Sequence, residues 1–202
     1  MSLKLWVASA WTPRRTLGEM LESVATGTMA ALDGLLEMQA PGRLGAVRGA
    51  DQPVDGNLER RRAAMASAHN ARVKALVEAL GRDRAVEAGR KALFPIGKRL
   101  GEEARERLGV GDGPDDLERA ARILYRALGI DFTLEKREGG TMLMRVHRCA
   151  LSHHYTEESC LILSAADEGV VAGLNPRYAM RFQQRMTGGP AECRALITEA
   201  GR

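Results

Sequence analysis

Aromatic side chains are scarce: Phe, Trp and Tyr together make up 4% of the 202 residues. A surface that stacks successive nucleobases needs such rings, so a base-stacking platform is excluded. Long apolar runs are missing too, and none approaches the roughly 18 residues that a membrane span requires. The LWVASAW stretch near the start is too short for a secretory core. Only three cysteines occur. An odd number cannot pair completely, so a disulfide scaffold is excluded and a reduced, cytoplasmic protein is expected. Lysine is rare as well, at 5 of the 30 cations, the other 25 being arginine. The net charge of +4 arises in residues 57–128, where 16 basic residues face 11 acidic ones. There the two signs interleave as on solvated helices, so neither a nucleic-acid nor a membrane partner is expected.

Hydrophobic residues make up 45% of the chain, enough to build a core. There is no internal repeat and no low-complexity tract. Residues 1–128 read as helices. Thr16-Leu17-Gly18-Glu19 has the pattern of a capping box, and a helix is expected to run from it to Pro41-Gly42. Residues 40–56 are rich in Gly and Pro and predict a loop. A second helix is expected from about Asn57 to Gly81, with His69 as a hydrogen-bonded core residue in its apolar stripe. A third runs from Asp83 to Leu108, bent or broken near Pro95, and a fourth lies between the turn at Gly113-Pro114 and Gly129.

At Gly129 the period changes. Ile130, Phe132 and Leu134 alternate with polar residues, Gly139-Gly140 makes a turn, and Met142, Met144 and Val146 resume the alternation. A helix over 154–170, a strand around Tyr178–Gln183 and another from Cys193 to Ile197 complete a ββαββ order. The fold class is α+β, with residues 1–128 a helical portion and 129–202 a cysteine-bearing portion of one integrated domain. The long stripes of 57–108 offer more apolar surface than a small sheet covers, so a homodimer is expected.

All three cysteines and three of the four histidines fall within residues 147–193. On the 154–170 helix, His153, Thr156, Glu157, Cys160, Ser164 and Asp167 form a narrow polar stripe amid apolar residues, as on a buried helix that lines a polar pocket. That points to Cys160 as a nucleophile or metal ligand, with Asp167 and one of His153, His147 or His154 moving protons. Strict alternation places Arg145, His147 and Cys149 on one face of their strand, and Arg181, Gln183 and Arg185 on one face of theirs. The arginine row, with Ser164, can grip a substrate carboxylate, or form the wet face of an edge strand. Cys149, Cys160, Cys193 and His147 have the donor types of a zinc site. Their spacing matches neither a zinc ribbon nor a ferredoxin, and three unrelated buried thiols are the plain alternative.

Cys149 through Cys160, Asp167-Glu168-Gly169, Gly173-Leu174-Asn175-Pro176 and Gly189-Pro190-Ala191-Glu192-Cys193 together carry a resemblance. Residues 145–197 resemble the L-2-amino-thiazoline-4-carboxylic acid hydrolase family and, distantly, 4-vinyl-reductase-type ligand-binding domains. The resemblance implies a hydrolase that opens a C–N bond in a small cyclic amidine bearing a carboxylate. The rival class is a non-catalytic sensor whose cysteines hold zinc or another metal and whose pocket holds an effector.

Overall fold

The computed structural model describes residues 3–49, 51 and 56–201. Seven α-helices and four strands are present among them: α1 (Leu3–Ala10), α2 (Arg14–Gln39), α3 (Pro41–Gly49), α4 (Leu58–Leu80), α5 (Arg82–Leu108), α6 (Pro114–Leu128), β1 (Ile130–Lys136), β2 (Met142–Cys149), α7 (Glu157–Leu174), β3 (Tyr178–Gln184) and β4 (Cys193–Glu199). The α+β class and the ββαββ order of the second portion are both present. All strand pairs are antiparallel, in the spatial order β1-β2-β4-β3.

Local signals set most boundaries. Asn57 caps α4 by accepting from the Arg60 amide, and Pro114 opens α6, where its missing N–H costs nothing. Gly109 and Gly129 close α5 and α6 in the left-handed region, at φ 66° and 70°. Four expectations need correction. The Thr16–Glu19 pattern lies inside α2, because Pro13 already starts that helix two residues earlier. Residues 41–49 of the expected loop are helical, while 50 and 52–55 lie outside the described residues. Helix α5 runs unbroken through Pro95, which faces solvent, where an unpaired carbonyl can reach water. Helix α7 begins at Glu157, not 154, because Thr156 caps it by accepting from the Ser159 amide at 3.2 Å.

One face of the sheet carries Phe132, Met142, Met144, Val146, Met180, Ala195 and Ile197 into a core completed by α6 and the C-terminal half of α7. A second core joins α2, α4 and α5 to the N-terminal half of α7. Helix α7 therefore sits between the two portions. Its contact with α5 is backbone against backbone. A Cβ on Gly97 would lie 1.9 Å from the Ala166 carbonyl oxygen, one on Gly169 2.1 Å from that of Phe94, and one on Gly173 2.0 Å from that of Lys98. No side chain fits there, so glycine is obligatory at this crossing. At the far end of α4, Arg72 is 2% exposed and bonds both Asp33 and Asp51, tying α2 and the segment after α3 to the bundle. No described helix is long and apolar enough to cross a membrane.

Candidate functional site

On the side of α7 away from α5 lies a cavity of about 90 Å³. Its walls include Cys149, Cys160, Cys193, Ser164, Asp167 and Arg185, together with His69, Tyr125, Tyr155 and Phe182. All three cysteines reach it, from β2, α7 and β4, but two of the groups do so only because the strands are irregular. In β2, Asp131 opposes Arg148 while Phe132 opposes Val146, so His147 is an extra, unopposed residue. This β-bulge reverses the facing of the residues beyond it. Cys149 joins Val146 on the inner face, whereas His147 and Arg145 point outward. His147 Nε2 is 2.8 Å from Thr133 Oγ1, and Arg145 pairs with Glu135 and Glu192. In β3, Phe182 opposes Ala195 and Gln184 opposes Arg194, leaving Gln183 as the extra residue. Arg185 is thereby turned into the cavity while Arg181 stays exposed on the outer face. The expected shared faces of Arg145, His147 and Cys149, and of Arg181 and Arg185, are therefore corrected by two bulges.

The short start of α7 also removes His153, which is exposed on the preceding turn with His154. Neither lines the cavity. With His147 outside, the expected zinc donors are not gathered. Among the described residues no three His, Cys, Asp or Glu side chains stand where they could hold a metal ion.

Ser164 is the polar centre of the site. Its hydroxyl donates to the Leu161 carbonyl at 3.0 Å and accepts from Arg185 Nε and Nη2 at 3.0 and 2.9 Å, and from Arg90 Nη1 at 3.3 Å. Arg90, on α5, also pairs with buried Glu168 at 2.7 Å. Glu168 in turn accepts from the Phe182 amide, fixing α7 to β3. Arg185 makes no ion pair among the described residues. Its guanidinium lies 5.2 Å from the Phe182 ring centroid and bonds only a neutral hydroxyl. The charge of Glu168 acts on it from beyond ion-pair distance, and that carboxylate is bonded to Arg90. Burial lowers the Arg185 pKa from its ordinary value, as expected for a cation without a bonded anion.

Burial pushes the Asp167 carboxyl up to about 7, against the opposing influence of the Tyr125 hydroxyl and of Arg185. No hydrogen bond of normal geometry joins Asp167 to Tyr125, whose hydroxyl is buried without a partner. All three thiols are also raised by burial, Cys149 to about 12. For Cys160 the Thr187 hydroxyl and the charge of Arg185 act in the other direction. Cys193 Sγ accepts from the Met186 amide at 3.3 Å.

His69 is hydrogen-bonded in the core, as its place in an apolar stripe predicts, and it also lines the cavity. Its two ring nitrogens lie 2.8 Å from Thr28 Oγ1 and from Tyr155 Oη, and burial, then the charge of Arg72, lowers its pKa to about 3. One nitrogen of the neutral ring donates and the other accepts. Tyr125, Tyr155 and Arg90 carry no signal in the sequence, where nothing separates them from ordinary amphipathic residues.

Ten chains of solved structures are similar to this one, two of them as follows. A trafficking protein particle complex subunit 3 from Naegleria fowleri, covalently bound to palmitic acid, is 14% identical with a TM-score of 0.56 over 69% of this chain and 95% of its own. An H-NOX protein from S. oneidensis in the Fe(II)NO ligation state is 12% identical with a TM-score of 0.48 over 87% of this chain and 99% of its own. No curated protein matches the sequence. The family model described as L-2-amino-thiazoline-4-carboxylic acid hydrolase matches residues 60–196, reaching from α4 and α5 through the cavity to β4. The chain belongs to the L-2-amino-thiazoline-4-carboxylic acid hydrolase family.

Proposed function

We propose that the chain is a hydrolase that opens a C–N bond in a small cyclic amidine carrying a carboxylate, with the cavity beside α7 as its active site. The observation that carries the reading is the unpaired guanidinium of Arg185. It is half-buried at the cavity wall with donors free of any ion pair among the described residues, and a substrate carboxylate there gains a charge-assisted bond. Family membership supports the hydrolytic class.

Cys160 and Asp167 stand seven residues apart on one face of α7, about 10 Å along the helix axis, so a small substrate fits between them. Cys160 Sγ attacks the amidine carbon while its proton passes to the exocyclic nitrogen. The ring C–N bond breaks as the Asp167 carboxyl gives its proton to the departing nitrogen. Water then adds to the same carbon and returns a proton to the Asp167 carboxylate. The bond from the carbon to Cys160 Sγ breaks, and the sulfur recovers its proton from the added hydroxyl, whose oxygen becomes the carbonyl of the product. A carboxyl whose pKa lies near 7 suits both the giving and the taking. Arg185, held by Ser164, orients the substrate through its carboxylate.

The test is hydrolysis of L-2-amino-thiazoline-4-carboxylate by purified protein, compared with Arg185→Gln and Arg181→Gln. Arg185→Gln is expected to lower kcat/KM by at least about 100-fold, while Arg181→Gln, on the outer face, leaves it unchanged. Equal loss in both, or none in either, overturns the reading. The raised thiols favour one second reading, a binding domain without turnover. If Cys160 alkylates no faster than a free cysteine at pH 7 and no substrate is consumed, that reading replaces the first.

A further inference from the structure

The cavity beside α7 continues into a second one of about 290 Å³. Val24, Thr28, Tyr125, Leu128, Ala166 and Asp167 line both, so the two cavities adjoin at these residues and together make an elongated space. On α7 the lining runs from Cys160 to Val170, ten residues or about 15 Å. On α2 it runs from Thr28 to Thr16, about 18 Å. The two helices are thus opposite rails of an elongated space. Beyond Asp167 the walls are apolar, with Met20, Leu100, Ala104, Leu108 and Leu124 among them. Thr12, Thr16, Glu19, Glu103 and Arg107 make a polar rim at the distal end.

We infer that this channel binds a linear long-chain carboxylate, its head on Arg185 and its hydrocarbon chain laid along α7 into the distal cavity. The inference rests on the same Arg185 carboxylate grip as the proposed function, and the linear carboxylate competes there with the cyclic substrate. Two cations line the channel at its ends, and they differ. Arg107 lies within 3.7 Å of Glu103, whereas Arg185 has no anionic partner among the described residues, so the head belongs at Arg185. A small cyclic substrate would leave the distal cavity empty, and the aliphatic side chains on its walls favour an aliphatic occupant. With C–C bonds of about 1.5 Å, the available length suits a chain of about twelve carbons. Buried Tyr125, which lines both cavities together with Asp167, marks the junction. There the chain must pass Asp167, whose raised pKa lets the neutral carboxyl coexist with hydrocarbon.

The experiment is calorimetric titration of the full chain with butanoate, octanoate and dodecanoate at pH 6.5. Affinity should rise by about threefold per methylene across the series. Ala104→Phe, which fills the distal cavity, should remove at least about 30-fold of the dodecanoate affinity and leave butanoate unchanged. Leu100→Trp, on the same wall, is the second filler should the first fold poorly. Arg185→Gln should weaken all three ligands by about 10-fold or more. Butanoate binding with no gain on lengthening, or dodecanoate binding indifferent to both fillers, overturns the channel and leaves the Arg185 carboxylate site standing. Failure of every carboxylate to bind overturns both.

Discussion

Helix α7 has two faces that obey opposite rules. Toward α5 its backbone lies in direct contact with another backbone, through Gly169 and Gly173 on one side and Gly97 and Gly101 on the other. Toward the sheet and α2 it borders empty space and carries Cys160, Ser164 and Asp167. The first face leaves no freedom, and the second leaves a channel. A helix clamped so closely on one side, and packed at both ends into the two cores, can hold polar groups at fixed positions beside a cavity. The stability of this helix and its chemistry therefore come from different residues, and they can be perturbed separately.

The largest expected effect is on the clamped face. Gly97→Leu must displace the Ala166 backbone, because even a Cβ would sit 1.9 Å from its carbonyl oxygen. Overpacking against backbone costs at least about 3 kcal/mol, so circular dichroism should show a Tm lowered by ten degrees or more, or no cooperative transition. A normal melt would show that α5 and α7 can separate at little cost.

Substitutions on the cavity face should read out as pH dependence. Asp167 holds its proton up to about pH 7 in the folded chain, whereas in the unfolded chain it releases it near the ordinary carboxylate value. Its raised pKa therefore makes stability fall as pH rises from about 4 to 7 and stay level above. His69 works in the other direction. Its folded pKa near 3 lies below the ordinary imidazole value, so its contribution is lost as pH falls from about 6.5 toward 3. Between pH 4 and 6.5 the two nearly cancel. Denaturant melts of Asp167→Asn should show stability that rises with pH up to about 6.5, and a gain on the order of 2 kcal/mol at pH 8. A pH profile identical to that of the parent chain would place the Asp167 pKa near its ordinary value.

His69→Leu removes the partner of the Tyr155 hydroxyl, while the Thr28 hydroxyl keeps its bond to the Val24 carbonyl, so the loss is about 1–3 kcal/mol of stabilisation, chiefly at Tyr155. A Tm change of less than a degree would show that water replaces the ring. The smallest structural effect is expected from Cys160→Ser. Volume is nearly conserved, and the new hydroxyl lies beside the Thr187 hydroxyl, so stability should change by less than about 1 kcal/mol. Turnover should nevertheless be lost. A Cys160→Ser variant that melts early yet hydrolyses normally would make the thiol a packing group.

How much of this was legible in the sequence differs from residue to residue. Cys160, Ser164 and Asp167 are placed together by helical periodicity alone, since spacings of three and four repeat on one face whatever surrounds the helix. Cys149 and Arg185 are not. Strict alternation puts Cys149 beside His147 and Arg185 beside Arg181, and one inserted residue in each strand reverses both assignments. A bulge is a property of two paired strands, and no single strand's sequence declares it here. His153 fell from the site for a local reason, because Thr156 supplies a better cap than any residue upstream. Gly97-x-x-x-Gly101 and Gly169-x-x-x-Gly173 stood in the sequence as matching patterns, but only the crossing of α5 and α7 shows that they face each other.

Composition and period determined the element order, the α+β class, the core histidine and the polar stripe of α7. These depend on interactions between near neighbours in the chain: capping, turn residues and side-chain repeats of about 3.6 and 2. Tertiary structure alone decided which groups share the cavity, that Arg185 makes no ion pair among the described residues, and that a second cavity adjoins the first. Register, helix crossing and burial are set by partners far along the chain. They fix the facing of a side chain and the cost of its charge, which the residue's own neighbours in sequence do not.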